Sequence, residues 1–245
     1  MLPRVFCSDM EGNMQKKTAR IYVASSVLDK PLEDSYTLIK EEAVLQVGAA
    51  LTEKRLPQAA FLDCEGDNIS HKNRQYCELT GLYWIWKNAV EDYVGLVHYR
   101  RHFLLPDHWF ERMVGNRVDV ILPVPLYVAP SIAENYRERH TASDWDCLMA
   151  YFKTNIPDEY EEARHFFDGN LYSPCNMLIA KKEALDSLCE WMFPIVSAVA
   201  EHGGEKGDAH QNRYPGFVSE RLITYFFESH RGKYRVVYAN KNFLR

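Results

Sequence analysis

The sequence predicts an α/β fold in three layers, with helices on both faces of a mostly parallel sheet. Short apolar segments typical of buried strands alternate along the 245 residues with longer amphipathic segments typical of helices. Strands separated by helices pair in parallel, because the helical crossover returns the chain to the same edge of the sheet. No linker-like composition and no internal repeat interrupts the pattern, so we expect a flexible polar segment at residues 1–18 and one domain at residues 19–245.

Three strands are predicted in the first 100 residues, at residues 19–24, 60–62 and 93–99. Each is a short apolar run that ends in polar or turn-forming residues. The segment between the first two strands, residues 37–50, is predicted as helical or mixed, with small residues that permit close packing.

A helix rich in aromatic residues is predicted over residues 70–88. Ser70 or Asn73 is expected to cap it, because short polar side chains accept hydrogen bonds from the unpaired N–H groups of a first helical turn. Apolar side chains at helical spacing give this helix one face for burial. They are Tyr76, Leu79, Tyr83 and Trp86.

The rest of the chain, after residue 100, continues the alternation. Residues 202–215 are polar and contain glycine, which predicts a mobile loop. The remaining predicted strands cover residues 118–123, 176–180 and 234–238, and the remaining helices cover residues 106–115, 132–139, 143–154, 182–200 and 216–228.

Composition excludes several classes of protein. The net charge of −5 argues against a nucleic-acid-binding protein, which needs a clustered basic face. The six cysteines form no CxxC pair, so a zinc ribbon is not expected and the thiols are typical of a reduced, cytoplasmic protein. No signal peptide and no apolar run of the roughly 20 residues that span a bilayer is present, so contact with a membrane is expected only at its surface, through a partner or an acceptor.

The strongest local signal is the strand at residues 93–97, which ends in His98, Tyr99, Arg100 and Arg101. Open α/β sheets bind ligands at the carboxyl ends of their strands. Arginine offers a planar, permanently charged fork that matches phosphate oxygens. We therefore expect a diphosphate of a nucleotide sugar at this place. Neighbouring strand residues point to opposite faces, so only one of the two arginines is expected to face the site.

The loop before the aromatic helix carries alternating acids, Asp63, Glu65 and Asp67. Such a loop can hold a metal ion or a ribose, but turn formation and helix capping explain it equally well. His98 has three open interpretations, since it could bind a phosphate, ligate a metal ion or satisfy a core contact. Glu78 could anchor a neighbouring arginine.

Several ordered blocks of the sequence resemble a bacterial family long described as a domain of unknown function, whose members are regarded as exopolysaccharide, capsule or lipopolysaccharide glycosyltransferases. The resemblance extends over roughly residues 20–240. The blocks lie at residues 67–70, 76–80, 83–88, 98–101, 119–123, 176–177, 191 and 216–222.

This resemblance implies a GT-A-like (Rossmann-like) fold and transfer of a hexose from a nucleotide sugar, with UDP as the nucleotide and galactose or a related hexose as the sugar. The acceptor would be a growing surface polysaccharide or a lipid-linked glycan at the inner face of the cell membrane. The residues expected to bind the donor are Ser25, Ser26, Asp67, Asn68, Asn73, Lys87, His98, Arg100, Arg101 and Arg213.

Typical GT-A enzymes hold Mg²⁺ or Mn²⁺ with an Asp-x-Asp motif at the end of a strand. In this chain the strand ends in arginines, so we expect Arg100 or Arg101 to do some or all of the work of the metal. Mn²⁺ or Mg²⁺ remains an alternative, and the candidate ligands are Asp63, Glu65, Asp67 and His98.

An inverting transferase also needs a carboxylate that deprotonates the acceptor hydroxyl. The candidates are Glu220, near the start of the last helix, and Asp168, which could instead only shape a turn before Gly169. Arg213 could close over the diphosphate.

Two positions differ from the common family pattern, at Ser25-Ser26 and at Asp63-Cys64-Glu65. They leave room for a module that binds sugar or nucleotide and has lost turnover. A nucleotide-sugar hydrolase, which needs no acceptor, is the other alternative. No G-x-S-x-G elbow, Walker A loop or dinucleotide fingerprint is present.

Overall fold

The structure is a computed structural model and describes residues 17–245. The flexible segment predicted at residues 1–18 lies outside the described residues except for its last two. Among the described helices, none is both long and apolar enough to cross a bilayer.

Seven strands form the central sheet in the order β3-β2-β1-β4-β8-β5-β9. Every neighbouring pair is parallel except the two that involve β8, which is antiparallel to both β4 and β5. This confirms the predicted α/β fold with a mostly parallel sheet. The strands are β1 (Ala19–Ser25), β2 (Glu42–Gln46), β3 (Ala59–Leu62), β4 (Tyr93–His98), β5 (Val120–Pro123), β8 (Leu178–Lys181) and β9 (Val236–Ala239), and a separate ribbon pairs β6 (Leu126–Tyr127) with β7 (Leu171–Tyr172).

Helices pack on both faces of the sheet. Successive side chains of a strand point to opposite faces, so Tyr22 of β1 belongs to the larger core under most of the helices. Ile21 and Val23 belong to the smaller core on the other face, with Trp109 and Met113. The helices are α1 (Asn73–Tyr76), α2 (Leu79–Asn88), α3 (Trp109–Gly115), α4 (Ile132–Arg139), α5 (Ala142–Asn155), α6 (Pro157–Phe167), α7 (Lys182–Gly203) and α8 (Tyr214–Ser229).

The prediction of helical or mixed structure at residues 37–50 was wrong in its helical part. Glu42–Gln46 is a strand that pairs in parallel with β1 on one side and with β3 on the other. A strand flanked on both sides satisfies its backbone groups through its neighbours, and this tertiary pairing outweighs local preference. Only a short turn, Ala49–Leu51, is helical.

The aromatic helix predicted over residues 70–88 is broken at Cys77, whose backbone lies at φ 49° and ψ −127°. Neither Ser70 nor Asn73 caps it with a side chain. The break shifts the buried face of α2, so Trp84 is buried although it lies outside the predicted stripe. The consequence for function is that the chain between α1 and α2 turns towards the end of β4.

The segment at residues 202–215, predicted as a mobile loop, is largely held in place. Helix α7 continues to Gly203, a short helical turn covers Gln211–Arg213, and α8 begins at Tyr214. The buried Tyr214 hydroxyl donates to the carbonyl oxygen of Ala200 across 2.8 Å. Helix α6 was not predicted.

Candidate functional site

A cleft of about 470 Å³ opens at the carboxyl ends of β1, β2 and β4. Its walls combine cationic and acidic side chains. Four arginines line the cleft, Arg74, Arg100, Arg101 and Arg213, and Asp29 and Glu78 supply carboxylates. Such an arrangement can bind an anionic ligand while its acids position the arginines.

Two of the arginines belong to the turn that ends β4. The N–H of His98 donates to Arg101 O across 3.1 Å, and the N–H of Arg101 donates to His98 O across 3.0 Å. The prediction that only one arginine would face the site was wrong, since both line the cleft. The strand ends at His98, so the alternation of strand side chains does not apply to Arg100 and Arg101.

The C-terminal segment supports both of these side chains. The guanidinium carbons of Arg100 and Arg101 lie 5.2 and 5.0 Å from the ring centre of Phe243. The N–H of Leu244 donates to Arg100 O across 2.8 Å. Stacking on an aromatic face limits the freedom of a guanidinium group without neutralising it. The two charges therefore remain available to a ligand.

Arg213 approaches from the other wall of the cleft. Its Nε donates to the sulfur of Cys77 across 3.0 Å, and Nη2 lies 3.8 Å from Glu78 Oε2. Burial raises the pKa of Cys77 to about 11, so the sulfur is an uncharged thiol at neutral pH. The break between α1 and α2 thus presents a thiol and a carboxylate to Arg213. Glu78 is the acidic partner of an arginine, as the sequence suggested it could be.

A strained turn before β8 fixes Glu78 from a third direction. Cys175 and Asn176 have left-handed backbones, with φ at 82° and 49°. Asn176 Nδ2 donates to Glu78 Oε1 across 2.9 Å and to Gly216 O across 3.0 Å. Strain of this kind concentrates at functional sites, where surrounding contacts impose it.

Glu220 reaches the same turn from α8. Its Oε1 accepts a hydrogen bond from the N–H of Cys175 across 2.9 Å, and its Oε2 lies 3.4 Å from Arg221 Nη1. Burial raises the pKa of Glu220, and the charge of Glu78 adds to the rise against the opposing effect of Arg221. A largely buried carboxyl group with a raised pKa binds a proton more readily than a free carboxyl group, which suits a general base.

Glu78 and His98 are both partly buried in the cleft wall, and each influences the pKa of the other. Burial opposes ionisation of Glu78, but His98, Asn176 and Arg213 together outweigh it and hold the pKa of this carboxyl below its usual range. Burial lowers the pKa of His98, so the imidazole is neutral at pH 7. Its Nε2 is buried and has no hydrogen-bond partner among residues 17–245.

The structure brings most of the predicted donor-binding residues together. Ser25 lies beside the cleft, in a neighbouring pocket of about 570 Å³ that also contains Tyr36 and Tyr99. Asp67, Asn68 and Lys87 do not line either space. The predicted donor-binding residues that line the cleft are Ser26, Asn73, His98, Arg100, Arg101 and Arg213.

Side chains of the loop at residues 63–68 form hydrogen bonds with the segments around it. Asp63 is fully buried and accepts four hydrogen bonds, and its donors are the N–H groups of Gly48 and Ala49 and the hydroxyls of Ser70 and Thr80. Asn68 donates to the carbonyl oxygens of Cys64 and Gly66 within its own turn.

The metal-ligand candidates do not fit one ion. Both carboxylate oxygens of Asp63 already accept hydrogen bonds. Glu65 and Asp67 are exposed, and neither lines the cleft that contains His98. Within residues 17–245, no three side chains of His, Cys, Asp or Glu converge as metal ligands would.

The two candidate bases differ in their surroundings. Asp168 is exposed at the end of α6, where it pairs with Arg164 across 3.3 Å, and it does not line the cleft. Glu220 adjoins the cleft through Cys175 and Glu78.

Of the cleft residues, Asp29, Arg74 and Cys77 were not candidates from the sequence, and the positioning role of Asn176 was not predicted. A cysteine in the middle of a helical pattern gives no signal of a helix break. The contacts of Asn176 join distant segments, so no local pattern could have indicated them.

Comparison with known structures confirms the GT-A-like fold. The bifunctional glycosyltransferase WbbM, in its apo structure, superposes with a TM-score of 0.77 and 26% identity over 93% of this chain. The chain spans 45% of the length of WbbM.

Two further structures are much less similar. The core-mannan synthase A (CmsA/Ktr4) of Aspergillus fumigatus, in its Mn/GDP form, gives a TM-score of 0.27 at 14% identity over 62% of this chain and 42% of its own. The mannosyltransferase Ktr4p of S. cerevisiae, in complex with GDP, gives 0.38 at 12% identity over 84% of this chain and 66% of its own.

No curated protein matches the sequence. A family model does match, over residues 30–231, which is most of the chain. Its description is domain of unknown function DUF4422, and the chain belongs to this family.

Proposed function

We propose that the protein is a glycosyltransferase that moves a hexose from a UDP-sugar to a growing surface polysaccharide or a lipid-linked glycan. One observation carries the proposal: Arg100, Arg101 and Arg213 line one cleft with Glu78 at the carboxyl edge of the sheet, and Glu220 lies near enough for the charges of Glu78 and Arg101 to act on its pKa. The likeness to WbbM, a glycosyltransferase, supports it.

The diphosphate of the donor binds Arg100, Arg101 and Arg213. Negative charge grows on this group as the bond to the sugar breaks, and fixed cations stabilise that charge more in the transition state than in the ground state. Three permanent charges are suited to the role that a divalent cation has in a typical GT-A enzyme. The neutral His98 can donate or accept one hydrogen bond to a phosphate or sugar oxygen.

The nucleoside occupies the adjoining pocket. This space shares Ser26, Asp29 and Tyr99 with the cleft, so one ligand can fill both. The ring of Tyr36 stacks on His102 at 3.8 Å between ring centres, which gives the pocket a rigid aromatic wall. A pyrimidine base and its ribose fit a space with one aromatic wall and polar groups at its mouth.

Glu220 acts as the base. Its carboxylate takes the proton of the acceptor hydroxyl while the new bond to the anomeric carbon forms and the bond to the diphosphate breaks. The electron pair of that bond leaves on the diphosphate, and Arg100, Arg101 and Arg213 receive the resulting charge. Glu78 stays ionised and holds Arg213 at the cleft.

The location of the acceptor determines where the reaction takes place. A lipid-linked glycan lies at the inner face of the cell membrane, so a cytoplasmic enzyme that uses it works as a peripheral protein. The chain would meet that surface through its acceptor.

The proposal is tested with the purified chain and a panel of UDP-hexoses. Calorimetry measures binding of UDP with and without EDTA, and a transfer assay with short bacterial surface oligosaccharides follows release of UDP and extension of the glycan. We expect UDP to bind in EDTA and one hexose to be transferred.

Three other results would contradict the proposal or part of it. UDP binding without turnover indicates a binding module, and release of free hexose without acceptor indicates a hydrolase. Activity that EDTA abolishes and Mn²⁺ restores contradicts the role given to the arginines.

A further inference from the structure

A second groove, of about 820 Å³, lies beyond the ends of β5 and β9. The ribbon of β6 and β7 forms one wall, through Tyr127 and Leu171. The end of α6 and the second half of α8 form the other walls. Neither the diphosphate nor the nucleoside of the proposed donor uses this space.

The groove and the cleft open at the same edge of the sheet. Strands β4, β5 and β9 run in the same direction, because each of β4 and β5 is antiparallel to β8 and β5 is parallel to β9. Neighbouring strands are about 4.8 Å apart, so the end of β5 lies about 10 Å from the end of β4. One ligand can therefore reach from the groove to the cleft.

Helix α8 connects the two spaces. Glu220 adjoins the cleft, and Thr224 and Glu228 line the groove. These residues follow at intervals of four and so lie along one stripe of the helix. At about 1.5 Å per residue, Glu228 lies about 12 Å from Glu220 along the axis. The proposed base therefore lies one helical turn before Thr224, the first residue of α8 that lines the groove, on the side of the cleft.

The lining of the groove suits a carbohydrate. Tyr127 is 68% exposed and Leu171 is 54% exposed, and these two residues, paired across the ribbon, offer apolar surface to the groove. A sugar ring has an apolar C–H face that packs on an aromatic ring and a rim of hydroxyls that need hydrogen-bond partners. Polar groups for this rim stand around the tyrosine, and they belong to Glu162, His165, Ser229 and Arg231.

The polar wall is partly organised in advance. The hydroxyl of Tyr238 donates to Glu228 Oε1 across 2.9 Å, and Arg231 pairs with the other oxygen of the same carboxylate. Groups held by each other lose little freedom when a ligand binds, which favours affinity.

We propose that this groove binds the acceptor oligosaccharide, with sugar units stacked on Tyr127 and the terminal hydroxyl directed to Glu220. The catalytic role of this groove rests on the proposed function, because it requires Glu220 to act as the base. The binding itself requires no donor. An oligosaccharide should therefore bind the free protein, and more tightly than a monosaccharide, because only the longer ligand fills the groove.

The test uses an array of immobilised short oligosaccharides from bacterial capsules and lipopolysaccharides, with monosaccharides beside them. Tyr127→Ala should weaken glycan binding about tenfold, a loss of roughly 1.4 kcal/mol. Tyr127→Phe keeps the ring and should bind nearly as well as the wild type. Val90→Ala removes an even more exposed apolar side chain, next to the amino end of β4 and away from the groove, and should have no effect.

UDP calorimetry on the same variants separates the two proposals. Loss of glycan binding in Tyr127→Ala, with UDP affinity unchanged, supports the groove. Equal glycan binding by Tyr127→Ala and the wild type overturns it, as does the absence of binding to every glycan of the array. A change of oligomeric state in Tyr127→Ala without a change in glycan binding also overturns it, since the groove would then be an interface between copies. Failure of UDP to bind any variant contradicts only the donor site.

Discussion

Asn176 donates a hydrogen bond to Glu78 across 2.9 Å and so joins two segments that are 98 residues apart in the chain. The N–H of the residue before it, Cys175, donates to Glu220. One strained turn therefore positions two carboxyl groups with different environments. The same turn lies just before β8 (Leu178–Lys181), the strand that separates β4 from β5 in the sheet.

Removal of one cleft arginine should weaken UDP binding. Arg101→Ala should lower the affinity about 10- to 100-fold, because a hydrogen bond to a charged group contributes about 1.5–3 kcal/mol. Arg101→Lys should restore part of it, since it keeps the charge and loses the planar fork. Calorimetry with UDP measures both.

Arg164→Ala is the control for this series, because Arg164 is half-exposed and pairs with Glu161 on the same helix. If neither Arg101→Ala nor Arg213→Ala binds UDP more weakly than this control, the guanidinium groups do not hold the donor.

Glu220→Gln should reduce the turnover number about 10²- to 10⁴-fold, the usual contribution of a general base. UDP affinity should change little, because the residue acts on the acceptor. Glu190→Gln, on the exposed side of α7, is the matched control. A large loss in Asp168→Asn together with full turnover in Glu220→Gln would transfer the role of base to Asp168.

The two carboxyl groups should change stability in opposite directions with pH. The raised pKa of Glu220 means that the folded state binds its proton more tightly than the unfolded state, so this group's stabilising effect is present below the unfolded value of about 4.5 and lost as pH rises through the folded value. Glu220→Gln should therefore melt above the wild type at pH 7, and the difference should shrink towards pH 4.

The lowered pKa of Glu78 gives the reverse sign. Its ionised form stabilises the fold above the unfolded value, and the effect is lost as pH falls through the folded value. Glu78→Gln should melt below the wild type at pH 7. Thermal melts across this range measure both variants, and shifts of the same sign at pH 7 would disprove the opposite environments of the two groups.

Cys77 should cost stability through its backbone. A non-glycine residue at φ 49° and ψ −127° carries strain of about 1–3 kcal/mol. Cys77→Ala keeps this strain and removes the sulfur that Arg213 contacts, whereas Cys77→Gly removes both. Cys77→Gly should be the more stable variant by about 1 kcal/mol in urea unfolding, and both should bind UDP more weakly. A less stable glycine variant would show that the backbone is not strained.

Asp63 should be structural. Its buried carboxylate accepts four hydrogen bonds, so Asp63→Ala should destabilise the fold by about 3 kcal/mol or more. Asp67→Ala, at an exposed position of the same loop, should change stability by less than about 1 kcal/mol. Urea unfolding with and without Mn²⁺ measures both. Stabilisation of the wild type by Mn²⁺ that Asp67→Ala abolishes would restore the loop as a metal site.

The predictions from sequence were good where the signal was local. Strands β1 and β4 are continuous apolar runs, and burial on both faces requires that composition. The arginines follow β4 directly, so their place at the sheet edge also came from a local pattern. Strand β2 was missed because its pairing with β1 and β3 stabilises it, and pairing is a property of distant segments.

The candidate site was only half predictable for the same reason. Glu220 was a candidate by residue type and position. Its raised pKa, however, depends on its burial and on the charge of Glu78, which lies far from Glu220 in the sequence. Lys87 and Asp67 belong to blocks that resemble the family, yet neither lines the cleft. A residue's presence in a motif does not tell whether it contacts a ligand or holds a turn.

The sequence by itself determined the α/β class and the cationic turn at Arg100 and Arg101, because hydrophobic periodicity and adjacent charges are local features that consecutive residues show directly. Only the tertiary structure decided that the helix would break at Cys77 and that Asn176 would fix Glu78 beside Glu220. Those arrangements depend on contacts between residues roughly a hundred positions apart. These contacts stabilise the fold only when the sheet and α8 pack together, so no single segment of the chain can predict them.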